Sequence, residues 1–279
     1  MQTSEWLRQC GLPRVDALAL LRDVADLSHA ALLAHPETPL AEDTLLRLDA
    51  LAARLHTGEP LAYVLGWREF FDLRFAVNPA VLVPRPETEL LVDFVLNRLQ
   101  PERRATVLDL GTGSGAIAVT VAYECPHAVV WATDASTEAL IVAARNAQDL
   151  LPAVRPGGAP RLRQGDWYAA LPADAPPFNL ILSNPPYVAQ ADPHLEALRH
   201  EPLLALVGSR ACADGLEDIR RIVAGAPAHL APGGWLAIEH GYDQAEAVRA
   251  LMREAGLAEE HSVPDLAGID RVTAARMPA

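Results

Sequence analysis

The sequence predicts an α/β protein, in which a Rossmann-like, doubly wound and mostly parallel sheet follows a small all-helical N-terminal domain. Helical and extended patterns alternate from about residue 88 onward, which is typical of successive βαβ units. A glycine-rich turn follows the first strand of this region, and an acidic residue ends the second strand, as in nucleotide-binding folds. The first 57 residues, in contrast, carry apolar side chains at helical spacing.

The N-terminal segment, residues 1–57, is predicted to form a bundle of short helices. Pro13, Pro36 and Pro39 divide it, and Thr38 followed by Pro39 predicts a helix cap with a proline in the first turn. The segment has no cluster of titratable side chains, so packing or the docking of a partner is the expected role. Apolar residues recur at helical spacing at Ala17, Leu18, Leu21, Val24 and Ala25, and again at Leu45, Leu48, Ala52 and Leu55.

Residues 58–83 are predicted to connect the helical domain to a second domain, residues 84–279. The connecting segment, G-E-P-L-A-Y-V-L-G-W-R-E-F-F-D-L-R-F-A-V-N-P-A-V-L-V, is rich in aromatic and β-branched residues. Between Gly66 and Asn78-Pro79 this composition predicts a β-hairpin.

The second domain alternates between helical and extended patterns along its length. The third strand is expected in the region R-L-R-Q-G-D-W, before Gly165-Asp166-Trp167 and after a loop rich in proline and glycine at 151–160. The other predicted strands are 106–108, 129–133, 178–183 and 235–239, and the predicted helices are 88–99, 116–123, 136–149, about 214–230 and 243–255.

Composition narrows the class of protein. No apolar run approaches the ~18 residues of a membrane span, and charged and polar residues stand at the N-terminus, so a soluble, cytoplasmic protein is expected. Three scattered cysteines without a C-x-x-C pair argue against a disulfide scaffold, and the nine histidines form no metal-binding pair. The net charge of −13 argues against nucleic acid as a partner, because such binding depends on lysine and arginine.

A glycine-rich turn is the first motif that carries chemistry. The stretch V-L-D-L-G-T-G-S-G-A ends the first strand of the sheet, and Gly111, Gly113 and Gly115 let a ligand approach bare backbone. Asp134 ends the second strand and is placed to accept both hydroxyls of a ribose. This order of strand, loop, helix, strand and acid predicts a nucleotide or nucleoside site.

The identity of the nucleotide is set by details around the glycines. Gly111-x-Gly113-x-x-Ala116 satisfies the dinucleotide pattern, so NAD is an alternative. Asp109, however, precedes the glycines and could pair with a cationic amino-acid tail. The arrangement D-x-G-x-G-x-G resembles the first motif of S-adenosylmethionine-dependent methyltransferases of the Rossmann-like class I type.

This resemblance implies a set of cofactor contacts. The loop Gly111–Gly115, with Thr112 and Ser114, would lie against the methionine and ribose portions, and Asp134 would bind the ribose hydroxyls. In such enzymes an acid after the third strand contacts the adenine amino group, and a neighbouring apolar residue packs on the ring. Asp166 and Trp167 occupy these places here.

The segment S-N-P-P-Y, Ser183 to Tyr187, is the second motif. Two prolines directly after an apolar strand cannot continue a sheet ladder, because neither has an N–H to donate. The amide carbonyl of Asn184 and the backbone carbonyl of Pro185 can both accept hydrogen bonds from one planar NH₂ group. Tyr187 can then lie against that planar group. The motif predicts methyl transfer to an amide or arylamine nitrogen, and does not decide between them.

Four further stretches point to the substrate. Residues 58–66 (G-E-P-L-A-Y-V-L-G), 81–89 (V-L-V-P-R-P-E-T-E), 200–208 (H-E-P-L-L-A-L-V-G) and 238–244 (I-E-H-G-Y-D-Q) closely resemble the peptide-chain release factor glutamine methyltransferases (HemK/PrmC type). The resemblance implies methylation of the side-chain amide of the glutamine in the Gly-Gly-Gln motif of class-1 release factors. It also implies that the N-terminal helical domain recognises the substrate.

The same resemblance implies roles for individual residues. Asn184, Pro185 and Pro186 would hold the substrate amide, with Tyr187 packed on it. Asn184 would also contact the cofactor, near its transferable methyl group. Independently of the resemblance, Arg85, Glu87 and Glu89 stand at the start of the first helix of the second domain, where they could position the cofactor or close the pocket. Acids in the first turn of a helix are also favourable with its dipole. Glu239 is left outside the predicted site, as either a supporting group or a strand-end carboxylate.

Two features of the sequence depart from the family pattern, and two other functions remain alternatives to glutamine methylation. Asn179 replaces an acid that the family often has, at a position expected to be structural, and Ser209–Ala213 matches no family motif. An adenine amino methyltransferase acting on DNA or RNA shares the Asn-Pro-Pro-Tyr motif, but it needs a basic cleft. A non-enzymatic adaptor that binds the cofactor is the other alternative.

Overall fold

The computed structural model describes residues 1–100, 102–209 and 212–279, and the protein forms two compact units, Met1–Trp67 and Arg68–Ala279. Arg210 and Ala211, in the stretch 209–213 that matches no family motif, lie outside the described residues.

The first unit is all-helical, as predicted. Its core consists of apolar side chains from several helices around the buried Trp6, whose ring nitrogen donates to Asp49 at 2.8 Å. The helix α5 lies within the stretch 58–83 that was predicted to be a connector. The helices are α1 (Thr3–Gln9), α2 (Arg14–Val24), α3 (His29–Ala34), α4 (Glu42–His56) and α5 (Leu61–Leu65).

The predicted helix start at Thr38-Pro39 is wrong. Helix α4 begins at Glu42, after Ala41 as its N-cap residue. The residues before it are held extended against the N-terminus, because Leu40 donates its N–H to the carbonyl of Met1 and Pro39 forms a bridge with Gln2. These tertiary contacts override the local capping signal.

A β-hairpin follows α5, formed by β1 (Trp67–Phe70) and β2 (Leu73–Ala76). Phe71 and Asp72 make the turn with φ values of 50° and 59°. Two successive left-handed residues match the right-handed twist of a hairpin, although glycine and asparagine are the usual choices. The N–H of Phe71 donates to Glu89 Oε1 at 2.9 Å, which helps to hold this turn.

The second unit is an α/β domain built on a seven-stranded sheet. A 3₁₀ turn at Pro86–Thr88 precedes its first helix, which ends at Leu96, earlier than the predicted 99. The strands are β3 (Thr106–Leu110), β4 (Val129–Asp134), β5 (Arg161–Gln164), β6 (Phe178–Ser183), β7 (Leu230–Glu239), β8 (Ala258–Pro264) and β9 (Asp270–Arg276). The helices are α6 (Glu89–Leu96), α7 (Ala116–Glu124), α8 (Thr137–Leu150), α9 (Leu203–Val207), α10 (Glu217–Gly225) and α11 (Ala245–Glu254).

The strand order β5-β4-β3-β6-β7-β9-β8 confirms the doubly wound sheet. Strands β3 to β7 pair in parallel, while β9 runs antiparallel to both β7 and β8. Alternate residues of the central strands face opposite sides. One face packs against α10 and α11, and the other against α6 and α7. The strand order reverses between β3 and β6, which is where open α/β sheets bind ligands.

Strands β8 and β9 at the sheet edge were not predicted from the sequence. Most residues of β8 are partly exposed, so its sequence A-E-E-H-S-V-P lacks a clean apolar alternation. Strand β7 also begins at Leu230, earlier than the predicted residue 235. Its first half contains the segment P-G-G, and the pairing with β6 shifts register there.

Candidate active site

A cavity of about 440 Å³ opens at the carboxyl ends of β3, β4 and β6. Its walls come from segments far apart in the sequence that the parallel sheet brings to one edge. The lining residues that the structure describes lie in the segments 80–88, 111–117, 133–139, 165–167, 184–186 and 202–209, together with Asp218.

The glycine loop after β3 presents bare backbone to this cavity. Gly111 has a φ of +73°, and a Cβ at this position would lie 3.0 Å from Cζ3 of Trp167, so the indole ring covers the Gly111 backbone. Gly115 precedes α7 with a φ of +82°, and a Cβ there would lie 3.1 Å from the Cβ of Ala143 on α8. Both positions therefore need glycine for conformation and for close packing.

Asp134 lies at the end of β4 in the wall of the cavity. Its Oδ2 accepts from the N–H of Gly113 at 2.8 Å, and its Oδ1 accepts from the N–H of Ser136 at 2.8 Å. Burial raises the pKa of Asp134, and these backbone hydrogen bonds oppose that rise. Each oxygen retains a lone pair, so the carboxylate can accept two more hydrogen bonds from a ligand.

Asp109 lies below the glycine loop, fully buried at the end of β3. Its Oδ2 accepts from the hydroxyl of Thr112 at 2.6 Å and from the N–H of Ala118 at 3.2 Å. Its Oδ1 has no hydrogen-bond partner among the described residues. Burial raises the pKa of Asp109 to about 7. Through its hydrogen bonds with Thr112 and Ala118, this group supports the loop and the start of α7 from within the core.

Asp166 and Trp167 follow β5 and both line the cavity. The indole N–H of Trp167 donates to Asp218 Oδ1 at 3.2 Å, which fixes the ring across the glycine loop. Asp166 forms an ion pair with Arg221 of α10, and 56% of its side chain remains exposed. Helix α10 thus orients both residues.

Asn184 and Pro186 of the Asn-Pro-Pro-Tyr segment reach the cavity directly. The Nδ2 of Asn184 donates to Thr88 Oγ1 at 3.0 Å, which leaves its Oδ1 as an acceptor. Pro185 is buried. The Tyr187 hydroxyl donates to Glu239 Oε1 at 3.2 Å, and the Tyr187 carbonyl accepts from Gln244 Nε2 at 3.1 Å.

Glu239 is a buried carboxylate that connects these residues. It ends β7, and its Oε2 accepts from the Thr88 hydroxyl at 2.6 Å. Burial raises the pKa of Glu239 to about 7, while hydrogen bonds from Thr88 and Tyr187 act in the opposite direction. Burial, and then the charge of Glu239, raise the pKa of Tyr187, so the phenol keeps its proton at neutral pH. Glu239 was outside the site predicted from the sequence, and Thr88 was predicted only as the start of a helix.

Arg85 lines the cavity and donates to Glu201 Oε1 at 2.5 Å. The other oxygen of Glu201 accepts from the N–H of Val83 at 3.0 Å, and only 3% of the Glu201 side chain is exposed. The neighbouring Glu87 lies near Glu239 and contributes to the raised pKa of that residue. Glu89 accepts from the hairpin turn instead of facing the cavity.

The structure brings most of the predicted site residues to one cavity. Asn179, expected to be structural, accepts from the N–H of Thr106 at 2.8 Å and so ties β6 to β3. Of the predicted residues, those lining the cavity are Arg85, Gly111, Thr112, Gly113, Ser114, Asp134, Asp166, Trp167, Asn184 and Pro186. The other predicted residues are not among the described residues that line it, and they are Glu87, Asp109, Gly115, Pro185 and Tyr187.

Comparison with known proteins places this geometry in a family. Residues 1–66 match the model of the PrmC N-terminal domain, and residues 87–201 match that of the methyltransferase small domain. The release factor glutamine methyltransferase of Bordetella pertussis is 52% identical over 94% of this chain and 94% of its own length. The protein of the same name from Burkholderia pseudomallei is 49% identical over 99% of this chain and 96% of its own.

The protein belongs to the release factor glutamine methyltransferase family. Membership in this methyltransferase family argues against NAD as the cofactor, which the pattern Gly111-x-Gly113-x-x-Ala116 had left open. A methyltransferase from Pyrococcus furiosus has a similar fold, with a TM-score of 0.53 and 18% identity over 81% of this chain and 98% of its own.

Metal binding and membrane insertion each require a particular arrangement of side chains or helices. In residues 1–100, 102–209 and 212–279, no group of three or more histidine, cysteine, aspartate or glutamate side chains is arranged to hold a metal ion. None of the helices in these same residues is both long and apolar enough to cross a membrane.

Proposed function

We propose that this protein transfers a methyl group from S-adenosylmethionine to the side-chain amide nitrogen of the glutamine in the Gly-Gly-Gln motif of class-1 release factors. Relatives at 49–52% identity over nearly the whole length carry the name release factor glutamine methyltransferase, which supports this substrate. The observation that carries the chemistry is the orientation of Asn184. Its NH₂ is engaged by Thr88, so its carbonyl oxygen is left to accept from a planar NH₂ group.

The cavity fits the proposed cofactor. A volume of about 440 Å³ with bare glycine backbone on one wall suits a nucleoside with an amino-acid tail. When bound, S-adenosylmethionine supplies an electrophilic methyl group on a positively charged sulfur. The lone pairs of Asp134 would accept the ribose hydroxyls, Asp166 the adenine amino group, and the ring of Trp167 would pack on the nucleoside.

The Asn-Pro-Pro-Tyr segment would hold the nucleophile. An amide nitrogen reacts poorly because its lone pair is delocalised into the carbonyl group. Two acceptors, Asn184 Oδ1 and the Pro185 carbonyl, would favour a pyramidal nitrogen and stabilise the positive charge that develops on it. Pro186 and Tyr187 would fix the plane of the substrate amide. As the N–C bond forms, the S–C bond of the donor would break and leave the neutral thioether S-adenosylhomocysteine. The methylated nitrogen would then release its proton to solvent, so a strong general base is not needed.

Other residues would support the pocket. Arg85 and Glu87 belong to the segment before α6, and we assign them to the cofactor side of the cavity. Asp109 would act through the loop that it supports. The helical unit is proposed to recognise the release factor, and the proposed partner places the reaction in the cytoplasm, where translation takes place.

A methylation assay with purified components tests the proposal. The protein is incubated with isotope-labelled S-adenosylmethionine and a class-1 release factor, and the Gly-Gly-Gln peptide is analysed by mass spectrometry. We expect one added methyl group on the glutamine, and none on a release factor in which this glutamine is replaced by alanine. Label on adenine in bare DNA or RNA, with none on the release factor, would show the substrate class to be wrong.

A further inference from the structure

A series of hydrogen bonds leads from Asn184 into the core. Asn184 Nδ2 donates to Thr88 Oγ1 at 3.0 Å, and Thr88 Oγ1 lies 2.6 Å from Glu239 Oε2. The other oxygen of Glu239 accepts from the Tyr187 hydroxyl at 3.2 Å. Thr88 is 4% exposed and Glu239 is 1% exposed, so bulk water does not compete for these bonds. Both ends of the series are residues of the Asn-Pro-Pro-Tyr segment.

The direction of each bond in this series follows from the chemistry of the groups. An ionised carboxylate can only accept, so the single hydrogen of the Thr88 hydroxyl goes to Glu239. Thr88 then offers only lone pairs to Asn184, and only the NH₂ end of the Asn184 amide can use them. The carbonyl end must therefore point away from Thr88. The orientation of an amide side chain is set by such a network.

We propose that Thr88 and Glu239 are positioning residues that determine which end of the Asn184 amide faces the substrate. This inference rests on the proposed methyl transfer, because it assigns Asn184 Oδ1 as the acceptor of the substrate NH₂. Glu239 is not among the described residues that line the cavity, so it would act on the substrate through its hydrogen bonds with Thr88 and Tyr187. Holding the acceptor in advance avoids reorganisation when charge develops on the substrate nitrogen.

Protonation of Glu239 would allow the Asn184 amide to adopt the opposite orientation. A neutral carboxyl group can donate to Thr88, which frees the Thr88 hydrogen for Asn184 Oδ1. The amide would then present its NH₂ to the cavity, opposite the NH₂ of the substrate. Burial raises the pKa of Glu239 to about 7, so the orientation is expected to weaken as the pH falls through neutrality.

Several charged groups face Glu239 and influence its titration. Glu87, before α6, raises its pKa, while Arg271 on β9 lowers it. Arg85 lies close enough to Tyr187 to lower the pKa of that phenol. The next residue, His240, is buried, and burial lowers its own pKa. A variant that removes the Glu239 titration is therefore needed to separate its effect from that of His240.

Substitutions at Thr88 provide a matched pair. Thr88→Val keeps the shape and removes the hydroxyl, while Thr88→Ser keeps the hydroxyl. We expect Thr88→Val to lower the single-turnover rate about 10- to 100-fold, the worth of a hydrogen bond in a charged network. The affinity for S-adenosylmethionine should stay within about twofold, and Thr88→Ser should retain most of the rate. An unchanged rate in Thr88→Val, or an equal loss in both variants, would overturn the inference.

A spectroscopic measurement decides the inference without any methyl transfer. The side-chain NH₂ resonances of Asn184, assigned by their loss in Asn184→Ala, are followed by NMR from pH 5.5 to 8.5. We expect them to shift with the titration of Glu239 in the wild type and in Thr88→Ser. The shift should be lost in Thr88→Val and in Glu239→Gln. If it persists in both, another group such as His240 reports on Asn184, and the inference is wrong.

The two experiments separate the inference from the function on which it rests. Should the wild type fail to methylate a release factor, the proposed function is wrong, yet the NMR titration still shows whether Thr88 transmits the state of Glu239. Should the wild type methylate while Asn184 shows no response to Thr88→Val, the function stands and the positioning role falls.

Discussion

Glu201 ties two walls of the cavity together through Arg85. The guanidinium of Arg85 donates to Glu201 Oε1 at 2.5 Å, across 116 residues of sequence. The second carboxylate oxygen binds the N–H of Val83 at 3.0 Å. Only 3% of the Glu201 side chain is exposed, so little water reaches this carboxylate. Its two hydrogen-bond donors must therefore compensate for the burial of its charge. The segments before α6 and before α9, which both line the cavity, are thereby fixed to each other.

We predict that Glu201→Ala weakens both the fold and the cofactor site. The substitution leaves a buried N–H and a half-buried guanidinium without their partner, and breaking such a pair costs about 3 kcal/mol of unfolding free energy. Glu246→Ala is the matched control, because Glu246 pairs with two arginines while 72% of its side chain is exposed. That control should cost much less stability than Glu201→Ala, because solvent screens an exposed ion pair. Urea unfolding and cofactor titration measure both effects, and equal losses would contradict the prediction.

Asn184→Ala is expected to separate catalysis from cofactor binding. The Asn184 amide is proposed to act on the substrate nitrogen, and removing one such acceptor lowers the turnover rate by about 100- to 1,000-fold. The cofactor should still bind with nearly unchanged affinity, because the glycine loop and Asp134 are untouched. Single-turnover rates and calorimetric titration of S-adenosylmethionine check the two parts. Methyl transfer at the wild-type rate would refute the proposed role of this amide.

Asp134→Ala, unlike Asn184→Ala, should lower the affinity for the cofactor. Its carboxylate accepts from Gly113 and Ser136 and is proposed to accept the ribose hydroxyls as well. Hydrogen bonds to a charged group are worth about 1.5–3 kcal/mol, so the affinity for S-adenosylmethionine should fall about 10- to 100-fold. Asp134→Asn, which keeps one acceptor oxygen, should lie between the wild type and Asp134→Ala. Identical affinities in all three proteins would remove Asp134 from the cofactor site.

The parts of the site that were predictable are local in sequence. The glycine loop, Asp134 and Asn184 each follow an apolar strand, and parallel strands carry their ends to one edge of the sheet. A pattern of strands and loops therefore suffices to bring them together. The same pattern predicts the parallel, doubly wound part of the sheet, but not the antiparallel edge pair β8 and β9, whose mixed polar sequences do not alternate.

The site residues that the sequence did not predict are held by contacts between distant parts of the chain, which no local sequence pattern reveals. Thr88 and Glu239 are 151 residues apart, and Val83 and Glu201 are 118 apart. Glu239 did carry a usable signal, since it is an acid directly after the apolar run Leu236–Ile238 at the edge where Asn184 was expected. An unpaired carboxylate there would be costly, so a buried partner could have been anticipated.

Tyr187→Phe is predicted to slow methyl transfer through Glu239. The phenol donates to Glu239 Oε1 at 3.2 Å, and its loss leaves a buried carboxylate oxygen without a donor. Tyr168→Phe is a suitable control, because the partly buried Tyr168 hydroxyl donates to the Ile222 carbonyl at 2.9 Å and makes no hydrogen bond to Asn184 or Glu239 among the described residues. Both variants should lose about 1–3 kcal/mol of stability. Only Tyr187→Phe should lower the turnover rate, and equal rates in the two variants would contradict this assignment.

Asp109 makes stability depend on pH in a direction that can be measured. Burial raises its pKa from 3.8 to about 7, so the native protein keeps a proton there that the unfolded protein releases. The contribution of Asp109 to the free energy of unfolding is therefore greatest below about pH 4. It falls by up to about 1.4 kcal/mol for each pH unit until about pH 7.

Asp109→Asn cannot titrate at this position, so comparison with the wild type isolates the effect of Asp109 from those of Glu239 and other groups. The unfolding free energy of the wild type, relative to that of Asp109→Asn, should fall as the pH rises from about 4 to about 7 and level off above about pH 8. Urea unfolding at a series of pH values gives this difference directly. A difference that stays constant with pH, or rises with it, would show that Asp109 is ionised in the native protein throughout this range.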